Sequence, residues 1–405
     1  MKKMNTLINN CNLINLEKGS CEKVSILILG GNIEKIGEPE SKMTGDHSTI
    51  DLKGKYVMPG IWDVHTHIGD IIPDPHNFLE TESLAEYTIR AGRNAINGLK
   101  KGITSLRIVG EDGDVCLAWK KIFQKKGFLG PEIYTAVRAI SATGGHGHGT
   151  LGAYEIDGPY EMRKAVRENI SKGADLIKIM VSGGIMTENE GMQDSQLTDD
   201  EIIAAVELAS NKDLIVAAHA WGTEGIKKAL KCGVRSIEHG LLDDECISLM
   251  LEKNAFYVPT ICQTQDLETI LESGLPQFMV DKALSVKEIH LDGFKKAYKA
   301  GVKIACGSDS SPLSHFTHLE LKHLNIAGMS ILDTLKSATS IPAELCGVAD
   351  KFGKIEENYV ADLIVLNENP LEKLESVFDP ELVFKNGIQF TEQSGLASFE
   401  DLYIN

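Results

Sequence analysis

Between residues 57 and 351, short apolar segments alternate with amphipathic ones eight times, and nothing else in the chain restricts its fold so strongly. The apolar segments fall at 61–67, 104–109, 133–141, 176–181, 215–220, 236–239, 256–260 and 303–308. They are too short for core helices and suit strands. The segments 83–100, 160–172, 198–211, 223–232, 243–253, 278–300 and 333–347 carry helical periodicity. Thr198 with Glu201, ahead of Ile202-Ile203, forms a capping box and sets one helix start. Eight β-then-α units over roughly 290 residues match a (β/α)8 TIM barrel with insertions. A doubly wound open sheet is the alternative, but no Gly-x-Gly-x-x-Gly turn follows the first strand. The 40 residues from 261 to 300 form either a lid over the barrel mouth or a helix with a long approach.

Both chain ends have a different texture. Lys23–Leu29 and Ile33–Ile36 flank Gly30-Gly31-Asn32, a hairpin signal. Short β-rich runs return at Val360–Leu366 and Leu382–Phe384. The expectation is an α/β protein with its barrel over 57–351 and a small β-sandwich domain built from residues 1–56 plus 352–405.

A parallel barrel gathers its chemistry at the C-terminal ends of its strands. His65 and His67 end the first strand, two apart and so on one face. Lys178 lies in the fourth, His219 ends the fifth, His239 ends the sixth, and Asp309 follows the eighth. Imidazole and carboxylate are suitable ligands for zinc or a similar divalent ion. A lysine buried beside cations would lose its proton, and reaction with carbon dioxide would turn it into an anionic carbamate able to bridge two ions. Two cations held this way lower the pKa of a shared water enough to make a nucleophile near neutrality. Asp309 could bind one ion, take the proton and deliver it to a leaving nitrogen. Taken singly, each residue has a plainer explanation. Asp309 could cap the next segment, and Lys178 could pair with a buried carboxylate such as Asp175.

The net charge of −17, from 41 basic and 58 acidic residues, disfavours a nucleic-acid partner. No apolar run is long enough for a membrane helix, and no secretory segment opens the chain. Eight scattered cysteines without a Cys-x-x-Cys pair suggest reduced thiols and a cytoplasmic setting.

The stretch Val57–His67, with Ala142-Thr143-Gly144-Gly145-His146-Gly147, Ile177-Lys178, Ala217–Ala220, Ser236–Gly240, Gly307–Asp309, Ala338–Ala343 and Val360–Leu366, resembles the amidohydrolase superfamily over nearly the whole chain. The Thr-Gly-Gly-His-Gly segment is similar to the imidazolonepropionase-like branch, which includes zinc dipeptidases acting on Xaa-Pro, Xaa-Arg or Xaa-Lys. The resemblance implies a binuclear site holding two divalent ions, zinc being expected. His65 and His67 would hold the more buried ion and His219 and His239 the more exposed one. Lys178 would bridge them as an N6-carboxylated lysine, and Asp309 would be ligand and proton shuttle. It also implies that His146 touches the substrate carbonyl or carboxylate and that Tyr257 contacts a dipeptide carboxylate, unless Tyr257 only packs in the barrel. Two positions depart from the branch: His148 stands where Asp is usual, and Trp221-Gly222 where His-Gly is frequent.

The expected activity is hydrolysis of the amide bond of a small dipeptide or N-acyl amino acid, in a homo-oligomer. Opening of a cyclic amide, as in imidazolonepropionase, is the enzymatic alternative. A non-catalytic binding protein on the same fold is the other, although such relatives typically lose ligands and none is missing here.

Overall fold

Neighbouring side chains of a strand point to opposite faces, and Tyr56–Pro59 uses this to serve two cores. Val57 joins an apolar cluster with Ile8, Ile26, Leu363 and Phe384, whereas Met58 joins a second with Ile61, Ile364 and Leu366. The computed structural model describes residues 5–37, 47–69, 82–125, 128–149, 152–272 and 274–391.

The first cluster lies against an eight-stranded sheet assembled from both chain ends. Thr6–Asn15 pairs with Ser20–Leu29, and Leu363–Leu366 pairs with Leu382–Lys385. Gly30 and Gly31, at φ 58° and 94°, form the turn between Leu29 and Asn32. Positive φ at both central positions is what a two-residue hairpin of this hand requires. A sandwich of two separate sheets is not what the described strands form. Tyr56–Pro59 hydrogen-bonds to Thr6–Asn15 on one side and to Leu363–Leu366 on the other, so one ladder runs through both ends.

Between the ends, parallel strands carry the α/β body in two sheets. Ile61–Thr66, Ile103–Ile108 and Glu132–Thr135 form one. Ala153–Ile156, Ala139–Ala142, Ile177–Met180, Val216–His219, Ser236–Glu238, Phe256–Val258 and Lys303–Ile304 form the other, in that order. The ladder is therefore not closed into one ring. At one seam, the single strand expected over 133–141 is two strands in different sheets. Val137 between them has φ 69°, a conformation that a β-branched residue cannot carry through a pleated strand. At the other seam, individual bonds replace the ladder: Val64 N donates to Cys306 O at 2.9 Å and Asp309 N to His65 O at 2.7 Å.

Helices cover the strands. Ser83 and Glu86 cap Leu84–Lys100 reciprocally, and Thr198 and Glu201 do the same for Asp199–Ser210. The helix expected over 333–347 is two, Ile331–Ser337 and Ser340–Leu345, because Thr339 leaves helical geometry between them. Val115–Gln124 and Leu313–Ile326 are helices outside the expected set. Beyond Val258 the chain forms Cys262–Gln265, Leu267–Glu272 and the long Gln277–Ala300. Ile270, Leu275, Met279 and Ala283 of this region line the large cavity at the strand ends, so it covers the mouth as well as flanking the sheet. Among the described residues no helix is long and apolar enough to cross a membrane.

Candidate metal centre

His65 and His67 alternate at the end of Ile61–Thr66 and turn the same way. Their Nε2 atoms lie 3.2 and 3.3 Å from Asp309 Oδ1. One donor atom from each of the three residues falls within 4.8 Å of the others. The remaining ring nitrogens are anchored: His65 Nδ1 is 2.8 Å from Glu238 Oε2, and His67 Nδ1 is 2.6 Å from the Gly110 carbonyl. Carbonyl and carboxylate only accept, so both rings donate from Nδ1 and turn the Nε2 lone pair to the cavity.

A buried frame fixes these groups. Arg107 donates to both oxygens of Glu238 at 2.8 and 2.9 Å and to Ser236 Oγ at 3.2 Å. Burial would raise the Glu238 pKa, but Arg107 and His65 outweigh it and hold the group ionised, below the usual carboxylate range. Asp63 accepts from His65 N, from Ser308 N and Oγ, and from Thr317 Oγ1, at 3.1, 3.2, 2.6 and 2.8 Å. It thereby ties the first strand to the turn that presents Asp309. Gly307 in that turn passes so close that a Cβ there would lie 2.6 Å from His65 Cβ.

Asp309 and His239 both adopt left-handed backbone, at φ 53° and 65°. Such conformations in non-glycine residues concentrate at functional sites. His239 Nδ1 meets Thr260 Oγ1 at 2.8 Å, and its Nε2 lies 3.8 Å from Asp309 Oδ2. The His219 ring is 4.7 Å from that of His239, and its Nε2 donates to Gly183 O at 3.2 Å, which leaves Nδ1 as its basic nitrogen. Burial holds both rings well below the imidazole range, with neighbouring cations adding to it; Asp309 opposes the effect at His239. For Asp309 burial acts upward, but the surrounding histidines prevail and keep it well below the carboxylate range. Neutral imidazoles beside an ionised carboxylate are ligand forms.

Lys178, in Ile177–Met180, is buried at the floor of the same cavity. Burial brings its pKa down to about 8, with Glu238 and Asp309 opposing. Asp175 is not its partner, because that carboxylate accepts from Lys120 and from Thr135 N. His146 stacks on His219 at 4.0 Å with 15° between planes, and its Nδ1 binds Glu190. Gly184 allows this approach: a Cβ there would sit 2.4 Å from His146 Cε1. Cys262 also lines the cavity, but burial pushes its thiol well up and its Sγ faces Ser308 O, so no thiolate joins the donor set. Nitrogen and oxygen donors of this kind fit a divalent ion.

Thus His65, His67, His146, Lys178, His219, His239 and Asp309 all line one cavity. Tyr257 does not. It is fully buried in the wall, and its hydroxyl donates to Gly240 O at 3.2 Å. His148 pairs with Glu155 at the surface, outside the lining, whereas Trp221 lines the cavity. Asp63, Arg107 and Glu190 escaped the sequence reading. The signal that exposed Lys178, a charge inside an apolar strand, was equally present at Asp63 and Arg107.

A parallel α/β body with imidazole and carboxylate donors at its strand ends is the frame of a metal-dependent hydrolase. Residues 56–389 match the Amidohydrolase family, and the chain belongs to it. Its solved relatives make the body a (β/α)8 barrel, here with an interrupted ladder. Ochratoxinase of Aspergillus niger is 34% identical over 357 residues, 81% of this chain and 73% of that one. A solved Xaa-Pro dipeptidase with methionine bound in its active site is 32% identical, with a TM-score of 0.87 over 95% of this chain and 99% of that one. Imidazolonepropionase of Pseudomonas fluorescens is 25% identical over 397 residues, covering 89% and 92%.

Proposed function

We propose that this amidohydrolase-family enzyme cleaves the amide bond of a small dipeptide or N-acyl amino acid with two divalent ions, zinc being the expected metal. The observation that carries the reading is the convergence of His65 Nε2, His67 Nε2 and a carboxylate oxygen of Asp309 within 4.8 Å, each histidine fixed from behind. These three would hold one ion, and His219 with His239 the second, with Lys178 carboxylated on Nζ between them. Bound there, the ions supply Lewis acidity toward the substrate carbonyl and lower the pKa of water.

The side chains do the rest. Asp309, ionised and beside both histidines of the first strand, takes a proton from the attacking water and returns it to the leaving nitrogen. Glu190 is an ionised acceptor at His146 Nδ1, because that bond and two further donors outweigh its burial. The ring therefore keeps its Nδ1 proton. Its other nitrogen can meet an oxygen acceptor only as an N–H, so it is the doubly protonated ring, paired with Glu190, whose Nε2–H we assign to the substrate carbonyl or carboxylate. Similarity to ochratoxinase and to an Xaa-Pro dipeptidase, both named for substrates with an amide bond, supports this chemistry. Opening of a cyclic amide is the second reading, favoured by the similarity to imidazolonepropionase.

The test is a panel of free dipeptides, N-acyl amino acids and imidazolone propionate, assayed with zinc and bicarbonate and after chelation. Metal-dependent release of an amino acid from a linear amide is expected. Turnover of imidazolone propionate alone would select the second reading, and turnover of nothing with an intact fold would refute both.

A further inference from the structure

Among the described residues, one wall of the metal-centre cavity carries no ligand and no charge. It is made by three segments distant in sequence: the loop after Ile177–Met180, Trp221 just after Val216–His219, and the stretch from Leu275 into Gln277–Ala300. Ile185, Met186, Trp221, Leu275, Met279 and Ala283 line it. Ile185 joins all three: it packs against the cluster of Trp221 and Val286 and against that of Val280 and Ala283. Lys282 locks the first and last together from outside, its ammonium donating to the carbonyls of Gly184, Thr187 and Glu190. With three acceptors taken, that cation is turned to the backbone and not to a ligand.

The remaining charges do not offset this apolar character. No arginine appears in the lining among the described residues, and Lys178 is the single lysine there. Of the two acidic residues that line the cavity beside Asp309, Glu111 and Asp112, Glu111 accepts from Ile68 N and Gly69 N and from the Tyr87 hydroxyl, so its oxygens are engaged within the protein. The cavity volume is about 200 Å³, several times what one water needs, which leaves room for more than a bare amide.

We propose that this wall is a specificity subsite that takes a large apolar group, alkyl or aryl, on one flank of the scissile amide, and that Lys282 is a positioning residue that holds it closed. The proposal rests on the amide-hydrolase reading above. Burying methylenes against such a wall lowers KM about threefold to fourfold per carbon until it is filled. Releasing Lys282 frees the 184–190 loop, which also carries Glu190, the partner of His146. Lys282→Met therefore raises KM for long substrates more than for short ones, and Lys282→Arg restores the difference.

The experiment compares N-acyl-L-alanines from acetyl to octanoyl, and N-acetyl amino acids from alanine to phenylalanine, on the zinc-loaded full chain. One of the two series should show KM falling with apolar size. Met279→Gln should flatten that dependence, and Met279→Leu should keep it. No dependence in either series, or an unchanged slope in Met279→Gln, would overturn the subsite. Calorimetric titration with 2-naphthylacetamide and acetamide separates this failure from failure of the amidase reading. If no amide is cleaved, tighter binding of the naphthyl compound by about tenfold or more, lost in Met279→Gln, still supports the subsite. Equal affinity for the two compounds overturns it.

Discussion

The indole of Trp221 lies parallel to the imidazole of His239, with ring centroids 5.1 Å apart and 4° between the planes. His290 meets the indole edge-on from another side, at 5.2 Å. The His239 ring is thus held by a flat apolar surface as well as by Thr260. Trp221→Ala should lower zinc affinity about 10- to 100-fold, the range seen when support for a ligand is removed. Trp221→Phe should retain most of it. Titration against a competing chelator reads both.

Gly184 is confined by two rings at once: a Cβ would lie 2.4 Å from His146 Cε1 and 2.9 Å from His219 Cε1. Gly184→Ala must therefore displace His146, His219 or the loop. The expected loss in kcat/KM is about 100-fold, the scale of a small misplacement of reacting groups. Chemical denaturation should show a loss of only about 1–3 kcal/mol. An active Gly184→Ala enzyme would mean that the stacked pair tolerates separation.

For Tyr257 the structure favours packing over recognition. Its hydroxyl binds Gly240 O, in the turn after His239, and burial pushes its pKa well up. Tyr257→Phe should cost about 1 kcal/mol of stability and leave KM unaltered. A rise in KM without loss of stability would return Tyr257 to the binding site.

Much of this was legible from the chain alone, and the rest has physical reasons for being hidden. His65 and His67 could be placed because a strand's period of two is rigid, and Asp199–Ser210 because Thr198 and Glu201 cap it locally. The helix Leu313–Ile326 was obscured because its buried face includes Thr317, His318 and Glu320, which blur the apolar period. The break at Val137 was invisible, since valine reads as strand and only tertiary context holds it at positive φ. Glu190 lies in a loop without periodicity. Its role follows only from folding against His146, 44 positions away.

Glu320 gives a pH signature. It accepts from Ile261 N and Cys262 N at 3.0 and 2.8 Å, but burial dominates and raises its pKa to about 8. The unfolded group titrates near ~4.3, so across the interval the native state keeps a proton that the unfolded chain has lost. Stability from this source is complete below the lower value and is lost as pH rises to the upper one. Glu320→Gln should remove a slope of up to about 1.4 kcal/mol per pH unit. Urea denaturation of both proteins at about pH 5.5 and about pH 7.5 checks the sign; parallel curves would show that Glu320 is ionised throughout.

The most direct measurement is anomalous diffraction at the zinc absorption edge from crystals grown with zinc and bicarbonate. Two peaks are predicted, one in contact with His65, His67 and Asp309 and one with His219 and His239, with density for a carboxylated Lys178 between them. A cavity without an anomalous peak, its histidines and Asp309 bonded only to one another, would contradict the metal centre and the chemistry built on it.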